Sequence, residues 1–246
     1  MTPVTILQSA AKARPDWVDR CMMSVADWSQ RHGYGYHFIG DELFEWVTPG
    51  LRAKLHDRTP ILADLARLRW IEAELSERGG LVVWIDADTL VVDPTWRVPD
   101  STHTFFGEEY WVQPTAEGSW RGYQSPHNAF MGFTAASPVL GFLAYLSDSI
   151  IERADAARIA PQMVGPKLLK ALNNLAQFTL VPEAGAVSPE LLAEWVGEAG
   201  PATACYEQAT RAPLTLVNLC SSLTHSEEAV RRTELVSGGP RRLSGS

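Results

Sequence analysis

Five apolar residues in a row, Leu81-Val82-Val83-Trp84-Ile85, follow two glycines and run straight into Asp86-Ala87-Asp88. A stretch that is apolar at every position suits a strand buried on both faces, a central parallel strand with helices on each side. Upstream, Ile61, Leu65, Leu68, Ile71 and Leu75 recur at helical spacing and define the buried stripe of a helix. Thr59-Pro60 opens that helix, the hydroxyl as cap and the proline in the first turn, and Gly79-Gly80 stops it. The same patterning predicts further strands over residues 4–7, 34–39, 105–111, 129–133 and 178–181. Helices are expected over 16–31, from Pro138 to about Arg153, and from Gly165-Pro166 through Leu175.

Strands alternating with helices predict an α/β fold, a Rossmann-like and mostly parallel central sheet flanked by helices. Pro, Gly and Ser are scattered evenly and no repeat is evident, so residues 1–236 read as a single domain with a small C-terminal subregion. Residues 237–246 read as a flexible tail. Residues 111–120, with Tyr110 and Tyr123 beside them, read as a loop, either an acceptor platform or a packed aromatic cluster.

Composition narrows the chemistry. The formal net charge of −8 over 246 residues argues against a nucleic-acid partner, which demands a basic footprint. Cys21, Cys205 and Cys220 are odd in number and lack CxxC spacing, so neither a disulfide framework nor a thiolate zinc site is expected, and a reducing, cytoplasmic setting fits best. No leader is apparent at the start, and no run approaches the roughly 18 apolar residues of a membrane span. The nine tryptophans suit either core packing or stacking on sugars.

In open α/β sheets ligands gather outside the carboxyl ends of strands, where Asp86 and Asp88 stand. On extended backbone, residues two apart point the same way, so both carboxylates would face one ligand. Their oxygens would select manganese or magnesium over zinc. Acidic pairs after strands also serve as plain turn formers. Asp64 falls inside the apolar stripe of the preceding helix, with Arg67 at its edge. The two either close the core as an ion pair or turn toward the pocket at the strand end.

Asp64-Leu-Ala-Arg67, a helix, Gly79-Gly80, an apolar strand and Trp84-Ile85-Asp86-Ala87-Asp88 together resemble the core of metal-dependent GT-A-fold glycosyltransferases with a DxD motif. The relatives in view are capsular-polysaccharide and initiating mannosyltransferase types and the glucosylating toxins. His127-Asn128-Ala129-Phe130-Met131-Gly132, Gly165-Pro166-Lys167 and His225 follow in that family's order. Ala63 departs from its usual Ser or Thr, and Ser226-Glu227-Glu228 replaces a tryptophan-bearing motif, leaving Glu227 as a substitute ligand.

The resemblance implies a manganese- or magnesium-dependent transfer of sugar from a nucleotide-sugar, a UDP-sugar foremost, to an acceptor not identified, with retention of configuration. It implies that Asp88, with Asp86 and His225, holds the metal. Asp64 and Arg67 would grip the donor sugar, Asn128 would line the reaction centre, and Gly165 and Lys167 would meet the phosphates. Leu7, Gln8, Trp84 and Ala87 would line the nucleotide pocket. Two other readings stand beside it. One is a haloacid-dehalogenase-type phosphatase with Asp86 as nucleophile, disfavoured by Leu90 and by the lack of any Asp after Asp155. The other is a non-catalytic nucleotide-sugar-binding protein.

Overall fold

The computed structural model describes residues 2–100, 102–155, 158–221, 231–233 and 235–236. In chain order the strands are β1 (Val4–Ser9), β2 (Gly35–Ile39), β3 (Leu81–Ile85), β4 (Thr89–Val91), β5 (Thr104–Pro114), β6 (Trp120–Thr134), β7 (Leu180–Val181), β8 (Ala184–Ala186) and β9 (Leu216–Asn218). Six of them form the central sheet in the order β2-β1-β3-β6-β5-β7. The β1–β2, β1–β3 and β5–β7 pairs are parallel, while β6 is antiparallel to both β3 and β5. The fold is therefore α/β with a mostly parallel central sheet, and β6 alone runs against the other five strands.

That exception has a local cause. Residues 111–120, expected as a loop, instead continue β5 and begin β6. Only the short turn between Thr115 and Ser119 separates the strands, closed by Thr115 N–H donating to the Ser119 carbonyl at 2.7 Å. A connection that short can join only antiparallel strands. Consequently β3 has a parallel neighbour, β1, on one side and an antiparallel one, β6, on the other, not the two parallel neighbours that its apolar run suggested.

The helices are α1 (Asp16–His32), α2 (Pro49–Lys54), α3 (Thr59–Arg78), α4 (Leu140–Arg153), α5 (Pro166–Ala176), α6 (Pro189–Val196) and α7 (Pro201–Ala209). Alternation along β3 explains why it needs cover on both faces. Leu81, Val83 and Ile85 pack with Val25 and Trp28 of α1. Val82 and Trp84 pack with Ile61, Leu65, Leu68, Ile71 and Leu75 of α3, the expected stripe. Each of these buried side chains contributes about 2 kcal/mol. Together they outweigh the few kcal/mol it costs to carry Asp64 and Arg67 on the same helix.

Thr59 does not cap α3. The helix includes it, Arg58 precedes it, and no side chain serves as cap. At the other end Gly79 and Gly80 both take positive φ, and a Cβ on Gly80 would lie 2.5 Å from the Pro3 carbonyl oxygen. That close approach feeds the chain into β3 beside β1. In α4 the Ser137 hydroxyl accepts from the N–H groups of Val139 and Leu140, so the helix begins after Pro138 rather than at it.

A second sheet, β4-β9-β8, was not expected. It joins the segment just after Asp88 to the C-terminal part of the chain. With α6 and α7 it packs behind the β5–β6 hairpin through Tyr110, Val112, Leu192, Tyr206 and Val217. Among the described residues no helix is long and apolar enough to cross a membrane.

Candidate active site

A cavity of about 660 Å³ opens at the carboxyl end of β3. Five parts of the chain wall it. The turn after β3 brings Asp86 and Asp88, and α3 brings Asp64 and Arg67. The hairpin brings Glu109, Trp111, Ser125, His127 and Asn128. The start of α5 brings Lys167 and Lys170, and the end of β9 with the segment after it brings Asn218, Cys220 and Ser221.

The two acids do not lie on extended backbone. Thr89 N–H donates to the Asp86 carbonyl at 3.1 Å, so residues 86–89 form a tight turn. The carboxylates reach the same cavity because the turn, not the pleat, aims them. Asp88 is almost fully buried and held from the far end of the chain. Asn218 Nδ2 donates to its Oδ1 at 2.6 Å, and the Ser221 N–H donates to its Oδ2 at 2.7 Å. The second bond depends on Cys220, which takes φ +49°, a conformation rare outside glycine. The Asn218 carbonyl oxygen of the side chain accepts the Cys220 N–H at 3.1 Å and steadies that turn. Burial and the neighbouring Asp88 charge push the Cys220 thiol well above its ordinary range.

Arg67 answers both readings offered for it. Its Nη2 lies 3.1 Å from Asp64 Oδ1, and its Nη1 donates to Asp86 Oδ1 at 3.0 Å and to the Asn128 carbonyl at 3.1 Å. The ion pair with Asp64 exists, and it faces the cavity. Arg67 Cζ also stands 5.1 Å from the Trp84 ring centroid, a cation–π contact. Trp84 Nε1 donates to Asp86 Oδ1 at 2.5 Å. Asn128 Nδ2 in turn donates to Asp64 Oδ1 at 2.8 Å.

Burial dominates the proton affinities here. It pushes the Asp64 carboxyl up to about 6, against the opposing pull of Arg67, with Asp86 adding to the rise. The Asp86 carboxyl is raised by the same loss of water and by the nearby Asp88 charge, with Arg67 opposing, although 28% of the side chain still faces the cavity.

The structure brings Asp64, Arg67, Asp86, Asp88, Asn128 and Lys167 to one cavity. Gly165 stands directly behind Asp64, where a Cβ would lie 2.3 Å from Oδ2. Leu7, Gln8, Trp84 and Ala87 do not line the cavity. Leu7 and Trp84 are core residues beneath it. Gln8 is fully buried and donates through Nε2 to the Asp86 carbonyl at 3.2 Å, so it fixes the turn from below. Ala87 packs toward the C-terminal cluster. His225 and Glu227 lie outside the described residues, as does the tail 237–246.

Sequence reasoning missed Asn218, Ser221, Glu109 and Lys170. Lys170 alone carried a signal, since it lies one turn beyond Lys167 on the same helical face. A lone Asn near the end of a chain carries none.

Among the described residues no group of three or more His, Cys, Asp or Glu is disposed to hold a metal ion. The donor chemistry nevertheless fits a hard divalent cation. Asp64 and Asp86 both meet the Arg67 guanidinium, Asp88 lines the same cavity, and 28% of the Asp86 side chain is open to it. Carboxylate oxygens of this kind are ligands that magnesium or manganese takes.

No protein-family model matches the sequence, and no curated protein matches it. Solved structures similar to the chain include one described as a glycosyltransferase involved in the glycosylation of the major capsid of PBCV-1. It is 12% identical, the match covers 95% of this chain and 98% of that one, and the TM-score is 0.48.

Proposed function

We propose that this chain is a glycosyltransferase that moves a sugar from a nucleotide-sugar, a UDP-sugar foremost, to an acceptor hydroxyl, with manganese or magnesium bound at Asp86 and Asp88. One observation carries the reading. Arg67 bridges Asp64 and Asp86, and Asn128 donates to Asp64, while Asp88, held separately by Asn218 and Ser221, lines the same cavity together with Lys167 and Lys170. A cavity lined by both acidic and basic groups suits a ligand that carries both hydroxyls and phosphates. The resemblance of the 64–88 block to DxD glycosyltransferases supports the same assignment.

Each residue then has a physical task. Asp86 and Asp88 would hold the cation, which would supply Lewis-acid stabilisation to the departing diphosphate. Lys167 and Lys170 sit in the first turns of α5, where the helix dipole also favours an anion. A unit charge pair at about 4 Å is worth roughly 4 kcal/mol at an effective dielectric near 20, and less at these exposed lysines. Asp64 and Asn128 offer an acceptor and a carbonyl-rich edge for sugar hydroxyls. Arg67, all of whose described bonds go to protein groups, acts as the fixed bridge that keeps Asp64 and Asp86 apart and aimed. Rigid placement of this kind is what lowers a barrier, because no reorganisation is needed when charge develops. The sugar's anomeric carbon exchanges its bond to a phosphate oxygen for one to the acceptor oxygen, with retention expected from the resemblance.

The test is a thermal-shift screen of nucleotide diphosphates and their sugars, with and without manganese, followed by an assay for nucleotide diphosphate release. A manganese-dependent rise in Tm with one nucleotide, and release of it from its sugar, is expected. No stabilisation by any nucleotide in either condition would sink the proposal. Stabilisation without release, even with acceptors supplied, would favour the non-catalytic reading.

A further inference from the structure

The β5–β6 hairpin runs past the rest of the central sheet, and its two faces differ. Glu108, Tyr110 and Val112 point to the back, where α7 closes over them and Gly122 approaches the Ala209 side chain. The alternate residues point the other way. On that face the register sets Glu109 opposite Ser125, Trp111 opposite Tyr123, and Gln113 opposite Arg121.

These pairs form successive rungs leading outward from the cavity, roughly 7 Å apart. The inner rung belongs to the cavity: Ser125 Oγ donates to Glu109 Oε1 at 3.3 Å, and His127 Nε2 lies 3.6 Å from Glu109 Oε2. The middle rung is aromatic. Trp111 still lines the cavity, and Tyr123 is 37% exposed. The outer rung places Arg121 Cζ 5.1 Å from the Tyr123 ring centroid.

We infer that this face is a track for an extended carbohydrate acceptor, a reading that rests on the glycosyl-transfer proposal above. Two observations select that occupant. The rungs alternate carboxylate, aromatic and guanidinium, which matches a chain offering apolar ring faces and hydroxyl edges in turn. The track is also continuous with the cavity, whose lining includes Glu109, Trp111 and Ser125 of its inner rungs. An aliphatic pocket that would seat peptide side chains is missing from these rungs. Glu109, the innermost, takes the terminal hydroxyl and orients it toward Asp64 and Asn128.

The test uses the full chain and neutral gluco-, galacto- and manno-oligosaccharides from one to about six units, read by tryptophan fluorescence and saturation-transfer NMR. Affinity should rise with length up to about three units and then level. Tyr123→Ala should weaken the longer ligands about tenfold, while Tyr123→Phe keeps them. The manganese-dependent Tm shift with a nucleotide diphosphate should be the same in both variants. Equal affinity for mono- and tetrasaccharides, or longer ligands unaffected by Tyr123→Ala, would overturn the track. Capture of unstructured peptides but no glycan through Tyr123 would overturn it too. Length-dependent glycan binding in a protein that no nucleotide stabilises would keep the track and remove the transferase reading. A nucleotide shift with no glycan binding would do the reverse.

Discussion

Asn218 donates to Asp88 across 130 residues of chain, at 2.6 Å. Asp88 is 8% exposed and Asn218 5%, so neither group has water to fall back on. The second carboxylate of the DxD turn is therefore held by the last strand of the small sheet rather than by its own neighbours. Loss of a buried partner costs about 1–3 kcal/mol. Asn218→Ala should lower stability by that amount in chemical unfolding. It should also abolish the manganese-dependent shift with nucleotide diphosphates if Asp88 must be held to bind the ion. Asp88→Asn carries its own penalty, because an amide presents only one acceptor where Asn218 and Ser221 both donate. Full stability in either variant would contradict the buried network.

Arg67 bridges two carboxylates, and its removal leaves both without their counter-charge. Breaking a buried pair from one side typically costs about 3–5 kcal/mol. Asp86 is part open to the cavity, so Arg67→Ala should fall near the lower end. Arg67→Lys keeps the charge but cannot reach Asp64, Asp86 and the Asn128 carbonyl at once. It should restore much of the stability and little of the turnover. If lysine restores both, the bridging geometry is irrelevant and only charge matters.

What the sequence disclosed follows from which forces are local. The apolar run of β3 and the stripe on α3 are periodic, and periodicity survives any tertiary arrangement, so both elements and the place of Asp64 within the stripe were legible. Of the hairpin, residues 105–111 and 129–133 were legible as strands, but the stretch that joins them was not, because residues 113–125 are mostly exposed and carry little apolar alternation. Glu108 faces the core within the legible part, and its Oε1 accepts from Gln124 across the strand and from Arg211 on a distant loop. Asn218 and the turned backbone at Cys220 were hidden for a different reason. Their meaning lies entirely in a contact with residue 88, and nothing within a short window of sequence encodes it. The same holds for Gln8, which resembles any strand-end polar residue until its bond to the Asp86 carbonyl is seen.

Asp64 gives the fold a pH dependence of definite sign. Its carboxyl is raised to about 6 by burial, against about 3.9 in an unfolded chain. Between those values the folded state binds the proton and the unfolded state does not, so this group's contribution to stability falls as pH rises through 6. Ionisation above pH 6 therefore weakens the fold, and acid below it strengthens this one locus. Asp64→Asn mimics the protonated form at every pH. Wild-type stability relative to that variant should rise by up to about 3 kcal/mol as pH drops from 7 to 4. Turnover should fall over the same range, because protonation removes the charge that Arg67 pairs with. A wild type that loses ground to the variant toward acid would show that Arg67, not burial, governs Asp64.

Gly165 tests where the sugar sits. Its φ is −102°, outside the left-handed region that favours glycine. The obstacle is space. A Cβ there would lie 2.3 Å from Asp64 Oδ2, 2.7 Å from Asp64 Cγ and 2.8 Å from Asn128 Nδ2. Asp64 cannot yield freely, because Arg67 and Asn128 both bind its other oxygen. Gly165→Ala should therefore displace Asp64 and Asn128 together, at an overpacking cost of about 1–3 kcal/mol. Asp86, Asp88 and the α5 lysines are not in its path. The variant should keep the manganese-dependent Tm shift with a bare nucleotide diphosphate and lose the extra shift that the attached sugar provides. If the sugar's increment survives with Asp64 pushed aside, the sugar does not rest on Asp64. Were the bare diphosphate lost as well, sugar and diphosphate binding would be one coupled unit, contrary to the separate roles proposed for Asp64 and the α5 lysines.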